Sequence, residues 1–166
     1  MRLRDGLFAL PSASISLDIK LGLKSGKAAI CVKESSGIFK SVVEEVENFL
    51  KISKELSYEC VRDRYGYIWF ILSSSIEAET AAIDAIIDTI EKNGFSSNIL
   101  AAVFEFLNKK RVYLIFRFNE KKFYPFVLIN NKRDISEEMR IYTLIKNELP
   151  MIDDMERWYP MWNMPL

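Results

Sequence analysis

Asp153, Asp154 and Glu156 crowd into four residues near the end of the sequence. Oxygen ligands at that spacing could collect a divalent cation. Nothing else in the sequence completes a shell around them. We therefore read a solvated acidic turn, or carboxylates that pair locally with Arg157. Gly22-Leu23-Lys24-Ser25-Gly26-Lys27-Ala28 has the outline of a phosphate-binding loop. It has one residue too few between its glycines, Ala28 stands where Ser or Thr would hold magnesium, and a strand rather than a helix follows. No nucleotide site is assigned to it. The chain has no histidine, which removes Ser-His-Asp and Cys-His nucleophiles and every His-ligated metal site. Cys31 and Cys60 sit in separate apolar, strand-like runs, where a buried inert thiol is expected.

The legible chemistry is adhesive. Glu156-Arg157-Trp158-Tyr159-Pro160-Met161-Trp162 puts three aromatic rings and a guanidinium into seven residues. Terminal segments fray unless something ties them down, so so apolar a tail docks on its own domain or on a partner. Trp, Tyr, Met and Arg are enriched at interface cores, and completing the domain's own core is the other use for them. Tyr65, Tyr67, Trp69, Tyr113 and Tyr124 could line a pocket, but aromatics at strand positions read as core. The glycine-aromatic signature of an RNA-stacking sheet is missing. The candidate partner contacts are Tyr124, Pro125, Arg157, Trp158, Tyr159 and Trp162. No residue is assigned to catalysis, to a metal or to a cofactor.

These side chains need a scaffold, and 166 residues suffice for one domain with a proper core. Hydrophobic residues make up 49% and charged residues 28%, a globular balance. Twenty-three basic and 23 acidic side chains cancel. Nucleic-acid affinity rests on neutralising phosphates, so no nucleic-acid partner is expected. Lys109-Lys110-Arg111, Lys121-Lys122 and Lys132-Arg133 read as solvated turns. No apolar run reaches the roughly 20 residues of a spanning helix. The N-terminal apolar patch is too brief for a signal peptide and is broken by Pro11. With only two cysteines, the expectation is a cytoplasmic protein without a transmembrane segment.

Periodicity supplies the elements. Residues 7–23 read as a helix with Pro11 in its first turn, 24–27 as a turn and 28–32 as a short strand. Phe39, Val42, Val43, Val46, Phe49 and Leu50 follow i, i+3, i+4, i+7 spacing and predict a helix over 38–52. Residues 58–61 and 67–72 read as a hairpin around Asp63-Arg64-Tyr65-Gly66, the second arm apolar on both faces and therefore central. Ser74-Ser75-Ile76-Glu77 matches a capping box before a helix whose stripe is Ile83, Ile86, Ile87 and Ile90, closed by Asn93-Gly94. A meander follows over 99–107, 111–118 and 122–129. Pro125 lacks a donor N–H and marks an edge strand or bulge. A last helix runs over 135–148, with Asp134 as N-cap and Pro150 beyond it.

The order α-β-α-β-β-α-β-β-β-α excludes regular βαβ alternation. The expected fold is α+β: a mostly antiparallel sheet of five or six strands, helices packed on one face, in a secretion-chaperone-like arrangement. Residues 1–166 form one domain, with 150–166 an aromatic tail docked on it. Val43, Val46, Phe49, Trp69, Ile71, Ile83, Ile86 and Ile90 are its expected core.

Several segments, in order, resemble the PspA-associated PspAB family of prokaryotic proteins. They are Leu7-Phe8-Ala9-Leu10-Pro11-Ser12-Ala13, Tyr65-Gly66-Tyr67-Ile68-Trp69, Ala101-Ala102-Val103-Phe104, Val112-Tyr113-Leu114, Phe123-Tyr124-Pro125-Phe126, Leu149-Pro150 and Glu156-Arg157-Trp158-Tyr159-Pro160-Met161-Trp162. Phe-Tyr-Pro-Phe and Arg-Trp-Tyr-Pro-x-Trp are the specific ones. The resemblance implies a companion of PspA-like, coiled-coil membrane-remodelling proteins in envelope stress, recruited with them to the inner face of the membrane. It brings no catalytic residues. Family members usually carry a longer, basic amphipathic stretch before Leu-Phe-Ala-Leu-Pro, where six residues precede Leu7 here. The expected function is thus a non-enzymatic adaptor binding a PspA-like protein. The alternative is a small-ligand sensor with its pocket between sheet and helices. An enzyme using Asp, Glu, Lys or Tyr is a third reading.

Overall fold

The computed structural model describes residues 5–166; the basic start at residues 1–4 lies outside them. One antiparallel sheet of seven strands runs through the molecule in the order β2-β3-β1-β4-β5-β6-β7. The strands are β1 (Lys24–Lys33), β2 (Ser57–Arg62), β3 (Tyr67–Ser73), β4 (Ile99–Leu107), β5 (Arg111–Arg117), β6 (Lys122–Ile129) and β7 (Lys132–Arg133). The helices are α1 (Asp5–Phe8), α2 (Leu10–Leu21), α3 (Phe39–Ile52), α4 (Ile76–Lys92) and α5 (Ile135–Ile145). The class is the expected α+β. The strand count is seven, not five or six, because the basic pair Lys132-Arg133 pairs with Leu128 and Ile129 rather than forming a solvated turn.

The apolar stripes of α2 to α5 pack on one face of the sheet, over side chains that alternate along each strand: Ala28, Ile30 and Val32 from β1, Ile68, Phe70 and Leu72 from β3. Val43, Val46, Ile83, Ile86 and Ile90 are buried there, and Phe49 is half-buried. The alternate residues, among them Cys31, Trp69, Ile71, Val103, Tyr113, Tyr124 and Phe126, form a second core on the opposite face. Among the described residues no α-helix lays its main apolar stripe on that face, to which α5 contributes only Met139 and Tyr142. Ile152 and Trp158 close it, with Met161, Met164 and Leu166 packed around them. The two-sided apolarity of β3 therefore has two different covers, helices and the tail.

Three local readings shift. Residues 24–27 are not a turn but the start of β1, which bulges between Ser25 and Ala28. The turn falls at Gly22, whose φ of 65° closes α2 in the left-handed region. A side chain at Gly26 would strike the Glu105 carboxylate at 2.6 Å, and that carboxylate accepts from the Lys27 N–H at 3.2 Å inside the bulge. The cap of α4 is displaced by one residue. Ser75 Oγ accepts from the Ala78 N–H, and the carboxylate reaching back is Glu79, which accepts from the Ser74 N–H, rather than Glu77. The last helix ends at Ile145, not at 148. Among the described residues no helix is long and apolar enough to cross a membrane.

Candidate functional site

The outer edge of β6 holds the tail. Phe123, Pro125 and Val127 turn their backbone groups away from β5, and each position is resolved differently. The Phe123 N–H donates to the Pro150 carbonyl at 2.8 Å, and its carbonyl accepts from the Ile152 N–H at 2.7 Å. Residues 150–152 thus run beside β6 with a parallel bridge from Met151 to Phe123. Pro125 has no N–H to place, as its edge assignment requires. The Val127 N–H donates to Glu138 Oε2 at 3.1 Å, and its carbonyl accepts from the Asp134 N–H at 2.9 Å.

Glu138 is fully buried on α5. Besides Val127 it binds the Arg133 guanidinium in a forked arrangement, Nε at 2.8 Å and Nη2 at 2.9 Å. The same Nη2 donates to the Trp158 carbonyl at 2.7 Å. One guanidinium on β7 therefore ties the helix, the sheet edge and the tail together. A buried charge pair is tolerated when its remaining hydrogen-bonding capacity is met in this way.

Trp158 fills the second core. It is 2% exposed, its ring nitrogen donates to the Ile152 carbonyl at 2.8 Å, and its ring lies 5.5 Å from that of Tyr142. The Tyr124 hydroxyl donates to the Tyr159 carbonyl at 2.7 Å. Burial raises the Tyr124 phenol, against the lowering influence of Arg117 and Arg133, so it stays a donor. The Arg117 guanidinium stands 5.0 Å over the Tyr159 ring. Arg157 pairs with Glu120 in the β5–β6 turn rather than with its acidic neighbours. Trp162 meets Phe126 edge to face, centroids 5.4 Å apart.

Of the six sequence-derived contacts, Tyr124, Pro125 and Trp158 are buried, and Tyr124 and Trp158 make the hydrogen bonds that hold the tail. Arg157, Tyr159 and Trp162 reach the surface, the last two 52% and 51% exposed. Arg117, Glu120, Arg133 and Glu138 were not anticipated. Glu138 did carry a signal: it stands three and seven residues before Ile141 and Ile145, a carboxylate in the buried stripe of α5.

A groove of about 940 Å³ opens between residues 160–164 and the β2–β3 hairpin, lined by Tyr65, Tyr67, Trp69 and Leu100. It lies on the face away from the helices, not between sheet and helices. At its wall Asp63 accepts from the Tyr65 and Tyr67 N–H groups and from the Trp69 ring nitrogen. Burial alone would raise its carboxyl, but these three donors outweigh it and hold the group below its ordinary value. Cys31 also lines the groove, yet it is buried, and burial reinforced by Asp63 pushes its thiol up to about 12. It is no thiolate nucleophile at neutral pH. The opening carboxylates have separate tasks: Asp153 accepts from the Tyr142 hydroxyl at 2.5 Å, and Asp154 from the Glu156 N–H at 3.0 Å. Among the described residues no cluster of three or more His, Cys, Asp or Glu has the geometry to hold a metal ion.

The model of the PspAB family, described as PspA associated protein B, matches residues 3–166, essentially the whole chain. No curated protein and no solved structure matches it.

Proposed function

The chain belongs to the PspA-associated protein B family, and from that premise we propose a non-enzymatic adaptor of a PspA-type envelope-stress system. It binds a PspA-like coiled-coil protein through its clasped tail, in the cytoplasm, and is recruited with that partner to the inner face of the membrane. The observation that carries this reading is the asymmetry of the tail. Trp158 is sunk into the domain and pinned at both its ring and its carbonyl, while Tyr159 and Trp162 beside it stay half exposed on a fixed backbone. Rigid aromatic rings flanked by arginine make strong interface anchors, because little freedom is lost when they are covered. An amphipathic helix of the partner would lay its apolar side on these rings.

Capture of a purified PspA-like protein by the purified chain tests it. Tyr159→Ala and Trp162→Ala are expected to weaken capture without moving the thermal midpoint. Capture that survives both substitutions sinks the reading. The groove beside the tail favours a second reading, uptake of a small apolar ligand against Tyr65, Tyr67 and Trp162. Native mass spectrometry of the chain from its own cells would show a bound mass in that case.

A further inference from the structure

β2 ends the sheet on the side away from β6 and β7, and the backbone of its outer edge is bare. The Asp63 N–H donates to the Tyr67 carbonyl at 2.9 Å, which fixes the alternation of the β2–β3 ladder. Ser57, Glu59 and Val61 then bond inward to Ser73, Ile71 and Trp69, while Tyr58, Cys60 and Arg62 turn their backbone N–H and C=O groups outward. Among the described residues none of these outward groups has a partner. Among the described residues the edge has no proline, bulge or covering segment, three of the devices by which edges are blunted, and carries only the charges of Glu59 and Arg62. An extended backbone is what complements it.

We propose that the occupant is a second copy of this chain, its β2 paired antiparallel across a two-fold axis at Cys60. The alternation admits only registers in which outward residues face outward residues, and among axes from Glu59 to Arg62, which pair the most of β2, charge selects one. An axis at Glu59 sets the two Glu59 carboxylates opposite each other. An axis at Val61 sets Glu59 opposite Asp63, and one at Arg62 sets arginine against arginine. Like charges directly opposed are unfavourable. The axis at Cys60 sets Glu59 opposite Val61 and Arg62 opposite Tyr58. The Tyr58 hydroxyl already donates to Glu47 at 3.2 Å, and Arg62, which pairs with Glu34 of its own chain at 3.3 Å and keeps 53% of its side chain exposed, meets that ring and carboxylate of the other copy. The match occurs twice by symmetry, as a closed dimer requires. It continues the sheet through both molecules and leaves both tails free for their own partner.

Sedimentation velocity of the full chain over rising concentration tests the pairing, and a reversible dimer is expected. In a Cys31→Ala background a short bismaleimide should join the copies through Cys60, which the two-fold brings face to face. Cys60→Pro deletes an outward N–H and no bond of the β2–β3 ladder, and should weaken the dimer by roughly tenfold or more. Should that variant fold poorly, Arg62→Glu sets a carboxylate against Glu47 of the other copy and is expected to give monomer. A chain that stays monomeric overturns the proposal. So does a dimer indifferent to both substitutions or refusing the Cys60 cross-link, and so does a β2 edge that captures a strand of a different protein instead.

Discussion

The two edges of the sheet are finished in opposite ways. At β6 no outward N–H is left open, since those of Phe123 and Val127 are bonded to Pro150 and Glu138 and Pro125 has none, and the Phe123 and Val127 carbonyls accept from Ile152 and Asp134. At β2 the outward groups of three residues face solvent. Both β2 and β6 belong to ordinary hairpins, so the hairpins do not explain the difference. Sequence does. Residues 130–158 form the cover for one edge, and among the described residues no comparable segment flanks the other. An edge so thoroughly closed and one left bare in the same domain point to separate uses: one builds the platform for an aromatic tail, the other offers backbone for pairing.

The contrast can be broken at its strongest point first. Glu138→Ala leaves the Arg133 guanidinium and the Val127 N–H without their acceptor, and should destabilise by about 3–5 kcal/mol in urea unfolding. A loss no larger than that of a surface substitution would mean that the covered edge does not depend on this carboxylate. Trp158→Ala removes one of the two tryptophans of the second core and should cost a similar or slightly smaller amount, about 3–4 kcal/mol, with a lower thermal midpoint. If Trp158→Ala leaves the midpoint unchanged, the tail is not part of the folded domain.

A pH titration sharpens the comparison. Glu79, like Glu138, is a carboxylate in the buried stripe of a helix, but among the described residues no guanidinium pairs with it. Burial, opposed by the Ser74 N–H and reinforced by Glu105, pushes its carboxyl up to about 8. The folded state therefore holds this proton more tightly than the unfolded chain, whose value lies near 4.5. The stability it contributes is complete below 4.5 and is lost as pH rises through 8. Glu79→Gln should flatten that part of the stability curve, and an unaltered slope would show that Glu79 does not titrate there. The smallest effect is expected at the bare edge. Glu59→Ala should change monomer stability by no more than about 0.5 kcal/mol, since its side chain stands outside both cores. A larger loss in dilute protein would show that β2 is held by contacts on its own chain.

Much of this scaffold was legible because apolar periodicity reports burial directly. The stripes of α3 and α4, the two-sided strand β3 and the meander follow from residue spacing alone. The edge meaning of Pro125 was legible for a chemical reason, the missing N–H. What escaped was polar. Lys132-Arg133 looks like any charged turn, because nothing local says that Glu138 will be buried five residues later. Glu138 and Glu79 interrupt apolar stripes, and a carboxylate in a stripe reads as noise until its partner is known. The same blindness hid the seventh strand, which owes its existence to that arginine. The candidate site was located by composition, in its aromatic tail, but its division into buried anchors and exposed rings depended on long-range hydrogen bonds that no window of sequence contains.

The cover of β6 also imposes an order on synthesis. Everything that closes this edge, from β7 through Trp158, leaves the ribosome after β6 itself. Until then the nascent chain presents two unpaired sheet edges, not one, along with an uncovered second core. Such surfaces recruit other nascent chains and holding chaperones. Slowed translation over residues 130–158 should therefore raise co-translational aggregation, while the same pause before β4 should not.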